Sequence, residues 1–468
     1  MLARLRRPPS LAGVVGCVVA FLSLLIGLGP LNDNSFFTHL ATGRLMWANH
    51  HIPHSDTYSF TAPGKAWVVQ SWLASFLYGG AEKWWGAGGL LLLIAITASI
   101  VGLLAWALTR PAGSVLLRLL LMVPVIIIGI DGGWVERPLL FGLVALGLVL
   151  LAAEGRLDPR WLVPTMWFWV NTHGSFPLGL VALAVLALGR RMDGESPTIE
   201  LTALKWAVIG TLVGGINPLG PRLLVFPLEL LRRQDVLSNV VEWQAPKFIH
   251  IGQRAFLVEL VVAIVLVARR PAWRVALPLG VFAAAALLGT RNIVVASTVF
   301  LPGLALGLSG LSDMAGDERK PIFRPIVATL AVVGVLATVV AVQGPVFSFN
   351  GYPVAAVTFA QRNHLLEPGA HVVSHDYVGN YVEARFGPQG NVFLDDRFDM
   401  FPSSVVEDFT LLNGGKTGWD AVLEKYSASA VIWPTNEALG QLLADSPRWR
   451  VVYTDQEFLI AVPRSQPS

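Results

Sequence analysis

The chain has 468 residues, of which 54% are hydrophobic and 14% charged, with a mean hydropathy of +0.59. Soluble domains average about 45–50% apolar and about 25% charged residues, so the composition excludes a soluble globular protein and indicates a polytopic membrane protein. The net charge of +3 comes from bases spread over loops, which removes nucleic acid from the expected partners, and the lone Cys17 excludes an intrachain disulfide or a Cys-based metal site.

Arg4, Arg6 and Arg7 precede an apolar run over 11–30. That run exceeds the roughly 7–15 residues of a signal-peptide core and no small-residue cleavage site follows, so it reads as a retained first helix leaving the cytoplasm. Further apolar runs lie near 90–109, 115–130, 139–153, 161–170, 178–189, 203–216, 255–268, 275–288, 293–308 and 326–342. The pair flanking Asn171 is short enough for two tilted helices or a re-entrant hairpin. Counting each run as a crossing gives about eleven, with the N-terminus inside and the C-terminus outside. The charge bias agrees: expected inner connections carry Arg110, Arg118, Arg156, Arg160, Arg190, Arg191, Arg269, Arg270, Arg274, Arg319, Lys320 and Arg324, whereas the short outer ones near Asp131, Asn171 and Thr290 carry Arg137 and Arg291.

Two long loops fall on the outer side. The first, 31–89, holds candidate interfacial helices over 39–47 and 68–85, the second of these Trp-rich. The other, 218–254, has Pro218, Pro221, Pro227 and Pro246 breaking an amphipathic stretch, LVFPLELLRRQDVLSNVVEWQ. Beyond Val342 the hydropathy drops. HVVSH, NVFLDD, SAVIWP and WRVVYTDQEFLIAV read as strands between helical segments 379–385, 403–412, 418–426 and 436–444. The expected fold is therefore a polytopic α-helical membrane domain over 1–343 and an extracytoplasmic α/β domain over 344–468.

Polar residues gather at the run ends on the expected outer face. Asp33 directly follows the first span, as a helix cap or as a carboxylate able to deprotonate an acceptor hydroxyl. Asp56, in PHSDTYSF, is the next candidate base or an ordinary turn residue. Arg137, Arg222 and Arg291 place cations at run ends on that face, as forks for an anion or as interfacial anchors. Asn171, His173 and Ser175 interrupt an apolar hairpin, a costly break unless it lines a cavity or makes interhelical hydrogen bonds. Glu242, Trp243 and Gln244 suit stacking on and hydrogen-bonding to a sugar, and Asn292 accompanies Arg291. LDDRFDMF crowds Asp395, Asp396, Arg397 and Asp399 after a strand, as ligand groups or as an ion-pair loop. His39, His50, His51 and His54 match no tight metal-ligand spacing, so no metal is assigned.

The loop from Asp33 to about Tyr78 resembles the first periplasmic loop of GT-C superfamily glycosyltransferases: an acid after a retained helix, an Ala-rich helix (HLATGRLM), a His/Pro segment, a Pro-Gly turn (APGK) and a Trp-Leu helix start (SWLASFLY). HLATGR, NTHGSF, NPLGPR, VEWQAP and the pair Arg291-Asn292 also resemble outer segments of bacterial GT-C-like membrane proteins of unassigned substrate. The resemblance implies a polyprenyl-phosphate-linked sugar as donor, a glycan, lipid or protein acceptor, and the bacterial cytoplasmic (inner) membrane. It makes Asp33 the catalytic acid of the loop. Many members carry an acidic pair there; here Asn32 and Asn34 flank a single Asp. The expected function is an inverting membrane glycosyltransferase: Asp33, with Asp56 next in line, as base, and Arg137, His173, Arg222, Glu242, Trp243, Arg291 and Asn292 binding substrate. Beyond the donor no cofactor is assigned, a divalent metal included. The rivals are a non-catalytic scaffold of the same architecture, binding envelope polymers or partner proteins, and, with Glu259 as the main membrane-embedded acid, a transporter or lipid flippase.

Overall fold

The computed structural model describes residues 8–233, 241–311 and 318–464. Arg4, Arg6 and Arg7 and the part of the second outer loop at 234–240 lie outside the described residues. In chain order the helices are α1 (Leu11–Gly27), α2 (Asn34–Asn49), α3 (Trp72–Leu108), α4 (Val115–Ile128), α5 (Leu139–Ala153), α6 (Leu162–Thr172), α7 (Pro177–Met192), α8 (Thr198–Gly214), α9 (Arg222–Leu231), α10 (Ile251–Arg269), α11 (Trp273–Leu288), α12 (Ile293–Gly307) and α13 (Phe323–Gln343). There follow α14 (Val354–Arg362), β1 (Val372–Ser374), α15 (Asp376–Phe386), α16 (Ser403–Asn413), α17 (Trp419–Lys425), β2 (Ala430–Pro434), α18 (Ala438–Asp445), β3 (Trp449–Thr454) and β4 (Phe458–Pro463). The chain packs as two compact units, one built from Met1–Leu31, Trp84–Glu229 and Val240–Val346, the other from Asn32–Lys83, Leu230–Asn239 and Phe347–Ser468.

The first unit is helical, and every apolar run identified in the sequence forms a helix. Among the described residues five helical segments are long and apolar enough to cross a membrane: Trp72–Ala112, Val115–Gly133, Ile251–Arg269, Thr290–Gly307 and Phe323–Gln343. The apolar helices α1, α5 and α11 are shorter, so length and hydropathy give five spans where the sequence led us to expect about eleven crossings. Of α13 only Phe323 and Gly334 are buried. An apolar helix left so bare is solvated by lipid rather than by a protein core. After α4 the helix widens into a π-turn over Gly129–Gly133 that carries Asp131.

The second unit departs most from expectation. The segment read as an interfacial helix is α2, and Phe36, Phe37, Leu40 and Met46 on it are core residues rather than a membrane-facing stripe. Burying side chains of this size stabilises by about 1.5–3 kcal/mol each. The Trp-rich candidate is the start of α3, which is interrupted at Gly86 (φ 65°, ψ −165°). Two glycines let α2 and α3 cross with their backbones in contact: a Cβ on Gly43 would stand 2.0 Å from the Ser75 carbonyl oxygen, and one on Gly79 would stand 2.4 Å from the Gly43 carbonyl carbon. Gly43→Val therefore forces the helices apart and costs about 1–3 kcal/mol or more, read as a lowered melting temperature of the full chain in detergent; an unchanged melt would mean that the crossing yields freely.

The sheet has the order β1-β2-β4-β3, with β1 and β2 parallel and the other pairs antiparallel. NVFLDD, expected as a strand, makes only isolated bridges, from Val392 to Val372 and to Ser59. The Val392 amide donates to the Tyr58 carbonyl at 2.8 Å, and its carbonyl accepts the Phe60 amide at 3.1 Å. The sequence reading divided the chain at 343/344; in the structure Phe347–Ser468 packs with Asn32–Lys83, so the segment between α1 and Trp84 is part of the sheet-bearing unit.

Candidate functional site

In the second unit the N-terminal turn of α2 faces the loop after Leu394. Asp33 is the N-cap of α2, its Oδ1 accepting the Phe36 amide at 3.2 Å. Buried Asn380, from α15, joins that turn to the loop. Its Oδ1 accepts the Thr38 hydroxyl (2.9 Å) and the Asp396 amide (3.1 Å), and its Nδ2 donates to Asn34 Oδ1 (2.5 Å). The Asp396 carboxyl is buried, hydrogen-bonded by Ser35 and Thr38, and within electrostatic reach of Asp395 and Asp33. Burial outweighs the hydrogen bonds and pushes its pKa up to about 7. The Asp396 carboxyl thus lies within electrostatic reach of Asp33 at this helix start and is poised to exchange a proton near neutral pH.

Asp56 belongs to a different cluster. Its Oδ1 accepts Arg397 Nη2 at 2.8 Å, and its Oδ2 accepts the Ser59 amide (3.0 Å) and hydroxyl (2.6 Å). Arg397 also forks onto Asp395, with Nε to Oδ1 at 2.8 Å and Nη2 to Oδ2 at 2.5 Å, reaches Glu383 at 3.5 Å, and lies over the Trp67 ring at 4.4 Å. Burial and the Asp395 charge push the Glu383 carboxyl well above the usual carboxylate range. For Asp395 burial acts upward too, but the Arg397 guanidinium overcomes it and its pKa is lowered. Asp399, pushed up to about 6 mainly by burial, ends the loop, and Arg233 donates to the Asp399 and Phe401 carbonyls at 3.0 and 2.9 Å. A buried guanidinium with this many partners fixes the loop that presents Asp396.

A third group, which the sequence reading did not single out, lies at the carboxyl ends of parallel neighbours β1 and β2, where open α/β sheets hold ligands. His375 follows β1, its Nδ1 meeting the Asp376 carboxylate and its Nε2 3.8 Å from Glu437, which follows β2. The imidazole ring is 4.7 Å from Tyr377, 5.2 Å from Phe409 and 5.3 Å from Trp433. Burial acts to lower the His375 pKa, but Asp376 and Glu437 prevail and raise it. Trp433 Nε1 and Glu437 Oε2 are buried without a hydrogen-bond partner among the described residues. Aromatic faces beside carboxylates and idle polar atoms suit a polar, partly apolar ligand.

In the first unit Arg137, Glu242, Trp243 and Arg291 come together. Arg137 Nη1 pairs with Glu242 Oε1, the Arg291 guanidinium lies 4.4 Å over the Trp243 ring, and Arg137 and Arg291 are near enough for their charges to interact. The Thr290 amide donates to the Gln244 carbonyl at 3.0 Å and its hydroxyl to the Glu242 carbonyl at 3.2 Å, fixing the turn that carries Arg291. Asn292 is next in the chain, its Nδ2 donating to the Ala285 carbonyl at 2.9 Å. His173 is joined to Ser175, Nδ1 to Oγ at 2.7 Å, and Asn171 donates to the Trp167 and Gly214 carbonyls. Arg222, the first residue of α9, is exposed. Asp131 Oδ2 accepts the Gly252 amide at 2.9 Å, in the first turn of α10. Among the described residues no group of three or more His, Cys, Asp or Glu has a metal-holding arrangement.

No protein-family model matches the chain, and no curated protein does. Solved structures do. The chain is similar to the Archaeoglobus fulgidus oligosaccharyltransferase tethered to an acceptor peptide containing the NVT sequon, with 14% identity, 90% of this chain and 69% of that chain covered, and a TM-score of 0.51. The chain shares the fold of that enzyme. The apo form of that enzyme, and the archaeal oligosaccharyltransferase AglB from the same organism in complex with an inhibitory peptide and a dolichol-phosphate, align over the same shares at 12% identity and a TM-score of 0.49. Within this fold, the residue that sequence reasoning underweighted is Asp396. Its signal was the run of acids in LDDRFDMF; nothing local to that run named Asp33 as its neighbour.

Proposed function

We propose that the chain is a membrane glycosyltransferase that moves a sugar from a polyprenyl-phosphate carrier to an acceptor, with Asp33 and Asp396 as its proton-accepting pair. The observation that carries this reading is a buried Asp396 carboxyl of raised pKa within electrostatic reach of Asp33, the N-cap of α2, in a chain with the fold of an oligosaccharyltransferase. A single acid in the Asn-Asp-Asn loop left the second carboxylate missing. Asp396 supplies it from the opposite end of the sequence.

In this mechanism the acceptor attacks the anomeric carbon, the bond from that carbon to the phosphate oxygen breaks with inversion, and the acceptor proton passes to the Asp33/Asp396 pair. Polyprenyl phosphate leaves as an anion; within the first unit Arg137 and Arg291 are the cations we assign to binding a phosphate. Asp56, locked by Arg397 and Ser59, holds the loop instead of taking the proton. The described residues offer no donor set for a metal, and no step is routed through one. The similar oligosaccharyltransferase was solved with an acceptor peptide, which supports a protein acceptor over a glycan or lipid; the group of His375, Glu437 and Trp433 is where we would seat it. The setting is a bacterial cytoplasmic membrane with the sheet-bearing unit outside.

The experiment is transfer of radiolabelled sugar from a polyprenyl-phosphate donor by the purified full chain in liposomes, with peptide, glycan and lipid acceptors supplied separately. Turnover onto peptide is the expected result. Tight donor binding with no transfer to any acceptor would instead favour a scaffold. In the same assay Arg291→Ala raises KM for the donor by about 10- to 100-fold, the loss of one charged hydrogen-bond donor, with a smaller fall in kcat. An unchanged KM would remove Arg291 from the donor site.

A further inference from the structure

Five arginines gather at one end of the first unit: Arg190 and Arg191 at the end of α7, Arg269 and Arg270 at the end of α10, and Arg274 in the first turn of α11. Asp193 holds α7 to α11 by accepting the amides of Trp273 (2.7 Å) and Arg274 (3.0 Å). Glu200 pairs with Arg190 at 2.6 Å. The remaining acid, half-exposed Glu195, stands between two guanidinium groups, with its Oε2 3.5 Å from Arg190 and 3.5 Å from Arg274. Both cations are themselves largely buried. One anion thus already bridges Arg190 and Arg274, loosely and from a side chain that water can pull away.

Beside Arg274 a narrow apolar groove runs between α5, α7, α10, α11 and α12, lined by Leu150, Leu186, Leu279, Phe300 and Leu304 among others, with Arg274 its charged lining residue. Exposed Trp273 adjoins it, the residue type that marks a membrane interface. A hydrocarbon-lined slot with paired guanidinium groups at its mouth is complementary to an amphiphile with an anionic head. It is not the donor group over again: Arg274 begins α11, whereas Arg291 follows its end, about 24 Å away along 16 helical residues.

We propose that this cleft is a binding site for one anionic phospholipid, with an acyl chain in the slot and the phosphate bridging Arg190 and Arg274 in place of Glu195. Occupancy would tie α7, α10 and α11 together, independently of the transfer reaction. The test is native mass spectrometry of the full chain in detergent, supplied with equal amounts of phosphatidylglycerol and phosphatidylcholine of the same acyl chains. The wild type is expected to retain one phosphatidylglycerol with about 30-fold preference, as two arginines at about 1 kcal/mol each would give. Arg274→Gln should abolish the preference and Arg274→Lys keep most of it. Leu279→Trp, which fills the slot and leaves the charges, should lose the lipid. Soluble glycerol 3-phosphate should not compete. Equal retention of the two lipids by the wild type, a comparison that needs no variant to fold, would overturn the proposal, and so would full competition by glycerol 3-phosphate or an undiminished preference in Arg274→Gln.

Discussion

Asp396→Asn is expected to lower kcat for sugar transfer by about 10²–10⁴-fold and at the same time to raise the melting temperature of the protein at pH 8. The two effects share one cause. The Asp396 pKa is pushed up to about 7 in the folded chain by burial, against about 3.9 for an exposed Asp. The folded state therefore binds more protons than the unfolded state between those values, and stability falls as the pH rises from about 4 to about 7 before levelling off. Asn carries no charge to desolvate, so the variant escapes that fall. The proton acceptor must be ionised to work, so wild-type transfer climbs with pH through about 7, and this limb should vanish from the residual activity of the variant. A variant that loses stability and keeps the limb would make Asp396 a packing residue.

The largest expected effect on stability belongs to Arg397. Arg397→Met removes the guanidinium that pairs with Asp56 and Asp395 in a fully buried setting, and breaking such a pair from one side costs about 3–5 kcal/mol. In the wild type Asp395 is held below its usual pKa, so its contribution is present above the unfolded value near 4 and is lost as the pH falls through the folded one. Without the guanidinium, burial is the largest influence left on Asp395 and acts to raise its pKa against the Glu383 and backbone hydrogen bonds that remain. The variant is then worst above about pH 4 and recovers part of its deficit in acid. Thermal melts across pH check both the size and the slope. A pH-independent loss of under about 1 kcal/mol would show the cluster to be open to water.

The helices of the first unit were legible because an apolar run is a local property and every such run became a helix. The hairpin β3–β4 and helices α15 to α18 were legible for the same reason. What could not be read was long-range. The Thr38 to Asn380 hydrogen bond joins residues 342 apart, and Thr61 donates to the Phe393 carbonyl across 332. Without these, HLATGRLM has the periodicity of an interfacial helix, and only its packing in the second unit explains why Phe36 and Phe37 are hidden. NVFLDD has a strand's composition but finds only bridges at Val392, and its polar end turns back to present Asp396 and Arg397. The candidate donor group fared differently. Arg137, Glu242, Trp243, Arg291 and Asn292 were singled out separately for their places at helix ends, and the structure brings the first four into one cluster. Arg222 and Asp56 were singled out on similar grounds; one is exposed at the start of α9 and the other is locked in an ion pair. Sequence position sufficed to find polar residues at helix ends, and burial was needed to sort them.

The pairing of Asp33 with Asp396 is the central claim, and kinetics of the single and double variants test it most directly. kcat is measured for Asp33→Asn, Asp396→Asn and the two combined, with the full chain in liposomes and a polyprenyl-phosphate sugar as donor. Two carboxylates that accept one proton as a unit are lost together, so the double variant should be within about threefold of the slower single variant. Losses that multiply would assign the two residues to separate tasks, and wild-type turnover in either single variant would contradict the pairing.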